Sequence, residues 1–157
     1  MSEMTPHNLE CPNCGNKQET MVWNSINVTL DPELKRTFLE AKINLFSCEK
    51  CGENSFTDTP LLYHDMAQQF CVQSYPVEAI EDVEFLRRFS RDGSVVITGI
   101  PAGIKESGAY ITCPHIVFDI NEMLRYVRFR DRISESTREI ASKKIRSVPQ
   151  KRRSRKR

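Results

Sequence analysis

The pattern of apolar and polar positions divides the first half of the chain into short strands around one helix. Residues 17–30 alternate in part between apolar and polar side chains, as in one arm of a β-hairpin. In residues 31–43 an Asp-Pro pair precedes apolar residues at helical spacing, so we predict a helix with Asp31 as its N-cap. Residues 55–65 and 68–76 favour two strands joined by a short turn.

The second half of the chain predicts a smaller and less regular set of elements. Apolar spacing favours a helix over residues 77–89 and a strand over residues 94–100. Residues 101–108 are rich in turn-forming side chains and predict a loop, and residues 109–118 then predict one strand or a broken pair of strands. We expect these segments to form a small αββα region with the helix that follows.

The last predicted element is a long amphipathic helix over residues 119–147. Asp119 and Glu122 have the spacing of a capping box at its start. Apolar residues form one stripe, while several arginines lie on the other faces. We interpret the arginines as a solvated surface, although a basic helix of this kind can also contact nucleic acid.

Two C-x-x-C-G motifs flank the first predicted helix. Cys11 and Cys14 form the first pair and Cys48 and Cys51 the second, with 33 residues between Cys14 and Cys48. Four thiolates in two such pairs match the tetrahedral preference of Zn²⁺, and the glycine after each pair permits the positive φ that closes a metal knuckle. We therefore predict a Zn²⁺ site whose ligands are Cys11, Cys14, Cys48 and Cys51.

A redox dithiol and a disulfide are the alternatives for these motifs. A thioredoxin-like site uses a single C-x-x-C that opens a helix after a strand, and disulfides are rare in reducing compartments. Four sulfurs also close the coordination sphere, whereas a catalytic zinc keeps one position open for water, so we expect a structural metal. Such a metal supplies about 10–16 kcal/mol of apparent folding free energy, so we expect the ribbon to unfold without it.

The residues between and after the two motifs resemble the CpXC family of bacterial and archaeal proteins. The likeness rests on the helix start "DPELK", on the N-x-F-x-C spacing that leads into the second motif, and on "LLYHDM". It covers residues 8–76 and continues more weakly through residues 115–133. The family carries two Cys-Pro-x-Cys motifs, and here Glu49 replaces the second proline while both sulfurs are kept. The resemblance implies a zinc-ribbon fold and no established activity.

Together these patterns predict an α+β fold. We expect a zinc-ribbon-like antiparallel β-sheet with a helix inserted between the two C-x-x-C knuckles, followed by the small αββα region and a basic tail. In domain terms, residues 8–76 would form a CpXC-type zinc-ribbon domain. Residues 77–147 would form a helix-strand-helix extension packed on or beside it, and residues 148–157 a disordered tail.

The distribution of charge separates an acidic body from a basic arm. Residues 143–157 hold nine of the 23 Lys and Arg and none of the 21 Asp and Glu, so this tail carries +9 and residues 1–142 carry −7. A basic arm can neutralise phosphates in nucleic acid or contact an anionic protein surface. It has no aromatic side chain for base stacking, so we expect nucleic-acid contact to be independent of sequence.

The chain has no run of about 18 apolar residues, which predicts that it does not cross a membrane. The first ten residues lack the basic start and apolar core of a secretory signal, so we expect a cytoplasmic protein.

Five further residues could carry chemistry. We expect His64 and Asp65 to fix the end of a strand, since neighbouring side chains on a strand point to opposite faces. Cys71 has the pattern of a small buried side chain, with a redox thiol as the alternative. Cys113 and His115 lie close in sequence, but a second metal site would need more ligands.

The resulting functional hypothesis is a non-enzymatic zinc-binding module. It would serve as an interaction or regulatory protein and contact nucleic acid without sequence preference through the tail. One alternative is a protein-binding adaptor, which predicts an exposed apolar patch of several hundred Å². The other is an enzyme, which predicts a pocket with at least two of His64, Asp65 and His115.

Overall fold

The computed structural model describes residues 1–96 and 109–146, and within these residues the chain forms two sheets and a long C-terminal helix. One sheet has five strands in the order β1-β2-β5-β6-β7, and the other pairs β3 with β4. The strands are β1 (Glu3–Glu10), β2 (Lys17–Asn27), β3 (Leu45–Ser47), β4 (Asn54–Phe56), β5 (Leu61–Asp65), β6 (Phe70–Ser74) and β7 (His115–Val117). The α-helices are α1 (Pro32–Leu39), α2 (Val83–Leu86), α3 (Ala109–Thr112) and α4 (Ile120–Arg146), and a 3₁₀ helix spans Val77–Glu81.

The chain begins with a long hairpin that the sequence only half predicted. The predicted arm over residues 17–30 forms β2, and its antiparallel partner β1 was missed. The two strands pair from Met4 opposite Trp23 to Glu10 opposite Lys17, so the first C-x-x-C-G motif lies at the turn. β1 is exposed or half-buried along its whole length, which explains why it lacks a clear apolar pattern.

The five-stranded sheet is mixed, so the prediction of an antiparallel ribbon sheet was wrong in this respect. β5 and β6 form the predicted antiparallel pair, but β2 is parallel to β5 and β6 is parallel to β7. Parallel neighbours need a long crossover connection. Here α1 and the second cysteine motif lie in the connection between β2 and β5. The alternation within one strand does not reveal the direction of its neighbour.

The predicted αββα region also differs from the structure. The helix predicted over residues 77–89 is split into the 3₁₀ helix and α2, because Asp82 is extended (φ −89°, ψ 112°) and its carboxylate accepts the Glu84 N–H at 2.9 Å. In the strand predicted over residues 94–100, Val95 forms an isolated bridge with Phe89, and residues 97–100 lie outside the described residues. The loop predicted over residues 101–108 lies outside them as well.

The segment predicted as one or two strands over residues 109–118 forms α3 and then the short strand β7. β7 adds to the edge of the sheet beside β6, with Val72 opposite His115 and Ser74 opposite Val117. Strands were predicted over residues 94–100 and 109–118. Among the described residues of these two segments, β7 is the single strand that forms. Short strands of this kind carry too few residues for a distinctive pattern.

The N-cap residues of α4 and α1 use their side chains in different ways. Asp119 caps α4 as predicted, because its carboxylate accepts the Asn121 N–H at 2.6 Å, while Glu122 accepts the Phe118 N–H at 3.3 Å. Asp31 occupies the N-cap position of α1 but makes no capping hydrogen bond with its side chain. Its carboxylate instead accepts the hydroxyl of Ser2. None of the helices in the described ranges is long and apolar enough to cross a membrane.

The main core lies between one face of the five-stranded sheet and the helices α1 and α4. Phe38 of α1 contacts Tyr63 of β5 with ring centroids 5.0 Å apart, and Tyr63 stacks on Phe70 of β6. This sheet core consists of the buried residues Ile26, Val28, Phe38, Ile43, Leu61, Tyr63, Phe70, Val72, Val117, Met123, Leu124 and Val127. Among the described side chains of α4, those in this core come from the first half of the helix.

Candidate metal centre

The first cysteine motif forms a tight turn at the end of the β1–β2 hairpin. The Cys11 N–H donates to the Asn16 carbonyl at 2.8 Å, and the Gly15 N–H donates to the Cys11 carbonyl at 2.9 Å. These bonds keep the side chains of Cys11 and Cys14 on the same side of the turn.

The second motif repeats this turn between β3 and β4. The Cys48 N–H donates to the Glu53 carbonyl at 2.8 Å, and the Gly52 N–H donates to the Cys48 carbonyl at 2.9 Å. Gly15 and Gly52 have φ angles of +67° and +74°, in the left-handed region that favours glycine. The glycines therefore have the conformation that the sequence predicted for them.

The two turns bring all four sulfurs together. The Sγ atoms of Cys11, Cys14, Cys48 and Cys51 all lie within 4.8 Å of one another. Across the motifs, the Cys11 and Cys51 sulfurs are 3.6 Å apart and the Cys14 and Cys48 sulfurs are 3.7 Å apart. A tetrahedral zinc site with Zn–S bonds of about 2.3 Å separates its sulfurs by about 3.8 Å. The four sulfurs therefore have a spacing that could hold a metal ion.

Hydrogen bonds and burial shift the pKa values of Cys14 and Cys48 in opposite directions. The Cys51 backbone N–H, aided by the Lys50 N–H, lowers the pKa of Cys48 to about 6 against the effect of burial. At Cys14 the Asn16 N–H lowers the pKa, but desolvation and the neighbouring sulfurs outweigh it and raise the pKa to about 12. A bound metal needs all four as thiolates, so metal binding would release protons from this cluster.

A small apolar cluster supports the cysteines. Cys11, Phe46 and Cys48 are buried together, and Leu9 and Cys14 pack against them half-buried. We call these five residues the knuckle core. It is separate from the sheet core, so the geometry of the cysteines depends on a small number of apolar side chains.

Gln18 connects the two cysteine motifs, a role that the sequence did not predict. Its Nε2 group donates to the Ser47 carbonyl at 3.0 Å, and its Oε1 atom accepts the Glu49 N–H at 2.9 Å. Gln18 lies at the start of β2, just after the first motif, and so holds the second motif against the hairpin. One glutamine on a strand forms no sequence motif, so this role could not be predicted from the sequence.

Asn44 fixes the start of β3 in a similar way. Its Oδ1 atom accepts the Trp23 N–H at 2.8 Å, and its Nδ2 group donates to the Trp23 carbonyl at 2.9 Å. Asn44 is buried and has a φ of +55°, which asparagine tolerates better than most residues. This gives a physical reason for the asparagine in the N-x-F-x-C spacing before the second cysteine motif.

The structure gives His64 and Asp65 separate partners. His64 Nε2 lies 2.9 Å from the Tyr110 hydroxyl, and burial lowers the pKa of His64. The Asp65 carboxylate lies on the opposite, core-facing side of β5, where it accepts from the Gln68 N–H at 2.9 Å and lies 3.4 Å from Lys35 Nζ. Asp65 thus holds the turn after β5, as expected for a residue that fixes a strand end.

The remaining candidate residues are also distributed over different surroundings. His115 stacks on the Tyr126 ring with centroids 3.8 Å apart and lines a cavity of about 400 Å³, whereas Asp65 lines another cavity of about 460 Å³. Neither cavity is lined by His64. Cys71 is buried opposite His64, and burial raises the pKa of its thiol to about 11. Cys113 is exposed.

The four knuckle cysteines stand apart from these residues. In the part of the chain that the structure describes, they are the one group of three or more His, Cys, Asp and Glu side chains that could hold a metal ion. The Cys113–His115 pair gains no further ligands there.

Comparison with protein families identifies the class of protein that this arrangement defines. The family model for CpXC proteins matches residues 9–145, and the chain belongs to that family. The match extends well beyond residues 8–76, on which the resemblance mainly rested, and includes β7 and nearly all of α4. Comparisons with curated proteins and with solved structures give no significant match.

Proposed function

We propose that the four knuckle cysteines bind one structural Zn²⁺ ion. The observation that carries this proposal is the mutual proximity of four sulfurs, with cross-motif separations of 3.6 and 3.7 Å. Four cysteine ligands leave no coordination position for water or substrate, which favours a structural role over catalysis. A reducing compartment such as the cytoplasm keeps cysteines as thiols that are available to a metal.

Native mass spectrometry of freshly prepared, reduced protein tests the metal. We expect about one zinc ion per chain, and loss of that ion in the Cys48→Ser variant. Cys113→Ser is the matched control, because Cys113 is exposed and outside the cluster. Less than about half a zinc per chain in the unmodified protein would count against the proposal.

We further propose that the protein is a non-enzymatic interaction module whose basic tail contacts nucleic acid. The sequence supports this, because residues 143–157 carry +9 against a body of −7. α4 supports it as well, because it ends at Arg146 and so includes the first residues of the basic tail. Contacts of this kind are made to phosphates and weaken steeply as salt concentration rises.

Binding to short DNA and RNA duplexes over a salt series tests the tail. We expect similar affinity for unrelated sequences, and loss of binding when residues 148–157 are deleted. Failure to bind at low salt, or binding unchanged by the deletion, would reject the nucleic-acid part and leave the metal proposal standing.

A protein-binding adaptor is the second candidate, and one observation favours it. Val77, Ile80, Val83 and Leu86 are 42–60% exposed, although all four lie within ten residues of chain. In the same part of the chain, Tyr75, Phe85 and Phe89 pack edge to face with ring centroids 4.7–6.4 Å apart. Several exposed apolar side chains close together are typical of a binding surface.

Purification from the native cells distinguishes the adaptor from the nucleic-acid module. A protein that co-purifies with the unmodified chain, and is lost with Val83→Asp and Leu86→Asp, would support the adaptor. The Arg36→Asp variant is the control, because Arg36 is an exposed residue of α1. Co-purification of nucleic acid alone would reject the adaptor.

A further inference from the structure

A cavity of about 400 Å³ lies where the β7 edge of the five-stranded sheet meets α3 and α4. Its walls come from β6, β7, α3, the turn at residues 92–94 and the first half of α4, all in the described part of the chain. Small-molecule sites are typically concave, measure about 300–1,000 Å³, and combine apolar or aromatic walls with a few polar groups. This cavity has that size and that lining, and none of the four knuckle cysteines contributes to it.

The cavity contains a stacked pair of rings. The His115 ring lies on the Tyr126 ring with centroids 3.8 Å apart and an interplanar angle of 7°, and Phe70 meets Tyr126 edge to face at 6.3 Å. His115 is exposed, and Tyr126 is the one ring stacked on it among the described residues. One face of the imidazole is therefore left for a flat ligand that continues the stack.

Arg130 places hydrogen-bond donors beside these rings. Its Cζ atom lies 4.6 Å from the centroid of the Phe70 ring, which supports the flat guanidinium. In the described part of the chain this group forms one hydrogen bond, to the Gln68 carbonyl at 3.5 Å, and no ion pair. A guanidinium has five N–H donors, so several of them remain for a ligand.

Asp92 provides acceptor atoms in the same cavity. Its Oδ1 atom accepts the Ser94 N–H at 3.0 Å and the Ser94 hydroxyl at 2.6 Å, which hold the carboxylate in place. Arg130 and Asp92 are the charged side chains of the lining when His115 is neutral, so their charges cancel. The lining therefore favours a flat polar ligand with both donors and acceptors over a simple anion or cation.

We propose that this cavity binds an unpaired nucleobase, stacked on His115 and hydrogen-bonded by Arg130 and Asp92. Nucleobases are flat, and their edges carry both acceptor atoms and amino donors. Proteins hold unpaired bases by stacking them on aromatic side chains and by hydrogen-bonding their edges. The base can belong to a free nucleotide or to a single strand, whereas a base within a duplex already has its faces stacked and one edge paired.

This inference adds to the nucleic-acid contact proposed for the tail and does not rest on it. The tail would contact the phosphates of single strands and duplexes alike, and it has no aromatic side chain for stacking. The cavity would take unpaired bases only. An uncharged nucleoside therefore reports on the cavity and not on the tail.

Titration of the full-length chain with the four ribonucleosides tests the site by ¹H–¹⁵N NMR. We expect amide shifts at the residues of the cavity wall, in residues 70–71, 92–94, 113–115 and 126–130. For the best base we expect a Kd on the order of 0.1 mM, as for a ligand of about 20 non-hydrogen atoms at an ordinary ligand efficiency. Deletion of residues 148–157 should leave this Kd unchanged.

Substitutions test the proposed contacts. His115→Ala should weaken nucleoside binding about tenfold because the stack loses a ring, and His115→Phe should keep the Kd within about threefold. Arg130→Gln should weaken binding about five- to tenfold, because a charged donor is lost. Phe129→Ala is the matched control, since Phe129 is a 57% exposed ring of α4 that does not line the cavity. Circular dichroism checks that each variant is folded.

A single strand and a duplex of the same sequence identify the source of the base. Tighter binding of the single strand, weakened by His115→Ala, would assign the cavity to nucleic-acid strands. Nucleoside binding without such a preference would assign it to a free nucleotide. Both results support the cavity as a nucleobase site.

Two results would overturn the proposal. The first is the absence of shifts at the cavity wall at nucleoside concentrations up to about 10 mM, roughly a hundred times the expected Kd. The second is nucleoside binding that His115→Ala leaves unchanged, or that Phe129→Ala weakens equally, because the contact would then lie elsewhere.

Discussion

The knuckle core and the sheet core are built on different scales. The sheet core buries twelve side chains drawn from α1, α4, four strands and two connecting segments. The knuckle core buries only Cys11, Phe46 and Cys48. Burial of a full apolar side chain contributes about 1.5–3 kcal/mol, so the first set can support a fold while the second cannot. On this comparison, the metal proposed for the four cysteines would supply most of the stability at the knuckle end, where apolar packing is small.

Metal removal provides the largest expected effect. Chelation, or Cys48→Ser, should remove apparent stabilisation on the order of 10 kcal/mol from the knuckle end. Because the sheet core is separate, we expect hydrogen exchange to lose protection in residues 9–18 and 45–54 while β5, β6 and the first half of α4 stay protected. The expected unfolding is therefore confined to the knuckle end, whereas the sequence predicted that the whole ribbon would unfold without metal. Simultaneous loss of protection in α4 would show that the two cores are one cooperative unit.

Two buried phenylalanines sharpen the comparison. Phe38 lies in the sheet core and Phe46 in the knuckle core, and each is 1% exposed. Phe38→Ala should lower the free energy of unfolding by about 3–5 kcal/mol whether or not metal is bound. Phe46→Ala should instead weaken metal binding and leave the sheet core intact. Urea unfolding with and without chelator measures both, and equal behaviour of the two variants would contradict the separation.

A polar cluster at the end of the sheet core gives the next effect. Lys35 Nζ lies 2.6 Å from the Asp131 carboxylate and 3.4 Å from that of Asp65, whose side chain is only 5% exposed. Lys35→Met should cost about 2 kcal/mol in urea unfolding, because a buried carboxylate loses its cation. Lys42→Met is the control: Lys42 pairs with the exposed Glu40, so its loss should cost less than about 0.5 kcal/mol. Equal losses in the free energy of unfolding for Lys35→Met and Lys42→Met would show that the cluster around Lys35 is not stabilising.

Replacing Tyr63 should have a smaller effect, and it should raise the free energy of unfolding and not lower it. Its hydroxyl is buried without a hydrogen-bond partner among the described residues, and burial raises the pKa of the group. Tyr63→Phe removes an unpaired polar atom and should raise the free energy of unfolding by about 1 kcal/mol. Tyr110→Phe should lower it, because the Tyr110 hydroxyl contacts His64. Thermal unfolding of the two variants measures both effects. Destabilisation by Tyr63→Phe would contradict the conclusion that the Tyr63 hydroxyl is buried without a partner among the described residues.

His64 adds the smallest effect, as a pH dependence. Burial, aided by the N-terminal ammonium group, lowers the pKa of His64 below its unfolded value, with Asp65 acting in the opposite direction. The unfolded chain therefore takes up the proton first, and stability falls as pH drops through about 6.5. Metal-loaded His64→Gln should show a flatter profile over that range than the unmodified protein. An unchanged profile would reject this origin of the pH dependence.

Local patterns predicted the elements whose chemistry is repeated or strong. The two C-x-x-C-G motifs predicted the cysteine cluster, because the spacing and the glycine act within each turn. Asp119 and Glu122 predicted the start of α4 for the same reason. Patterns failed where an element is short or exposed, as in β1 and α3, and where a residue such as Asp82 interrupts helical spacing with an extended backbone.

What the sequence determined by itself is the family, the α+β class and the proximity of the four cysteines, since each depends on residues close together in the chain or on a pattern shared with relatives. Only the tertiary structure decided the parallel pairing of β2 with β5, the separation of the two cores and the role of Gln18. These depend on contacts between distant segments, and no local pattern records which segments will meet. The same holds for α4, because only the fold shows that Met123, Leu124 and Val127 are buried while Phe129 and Ile140 are exposed.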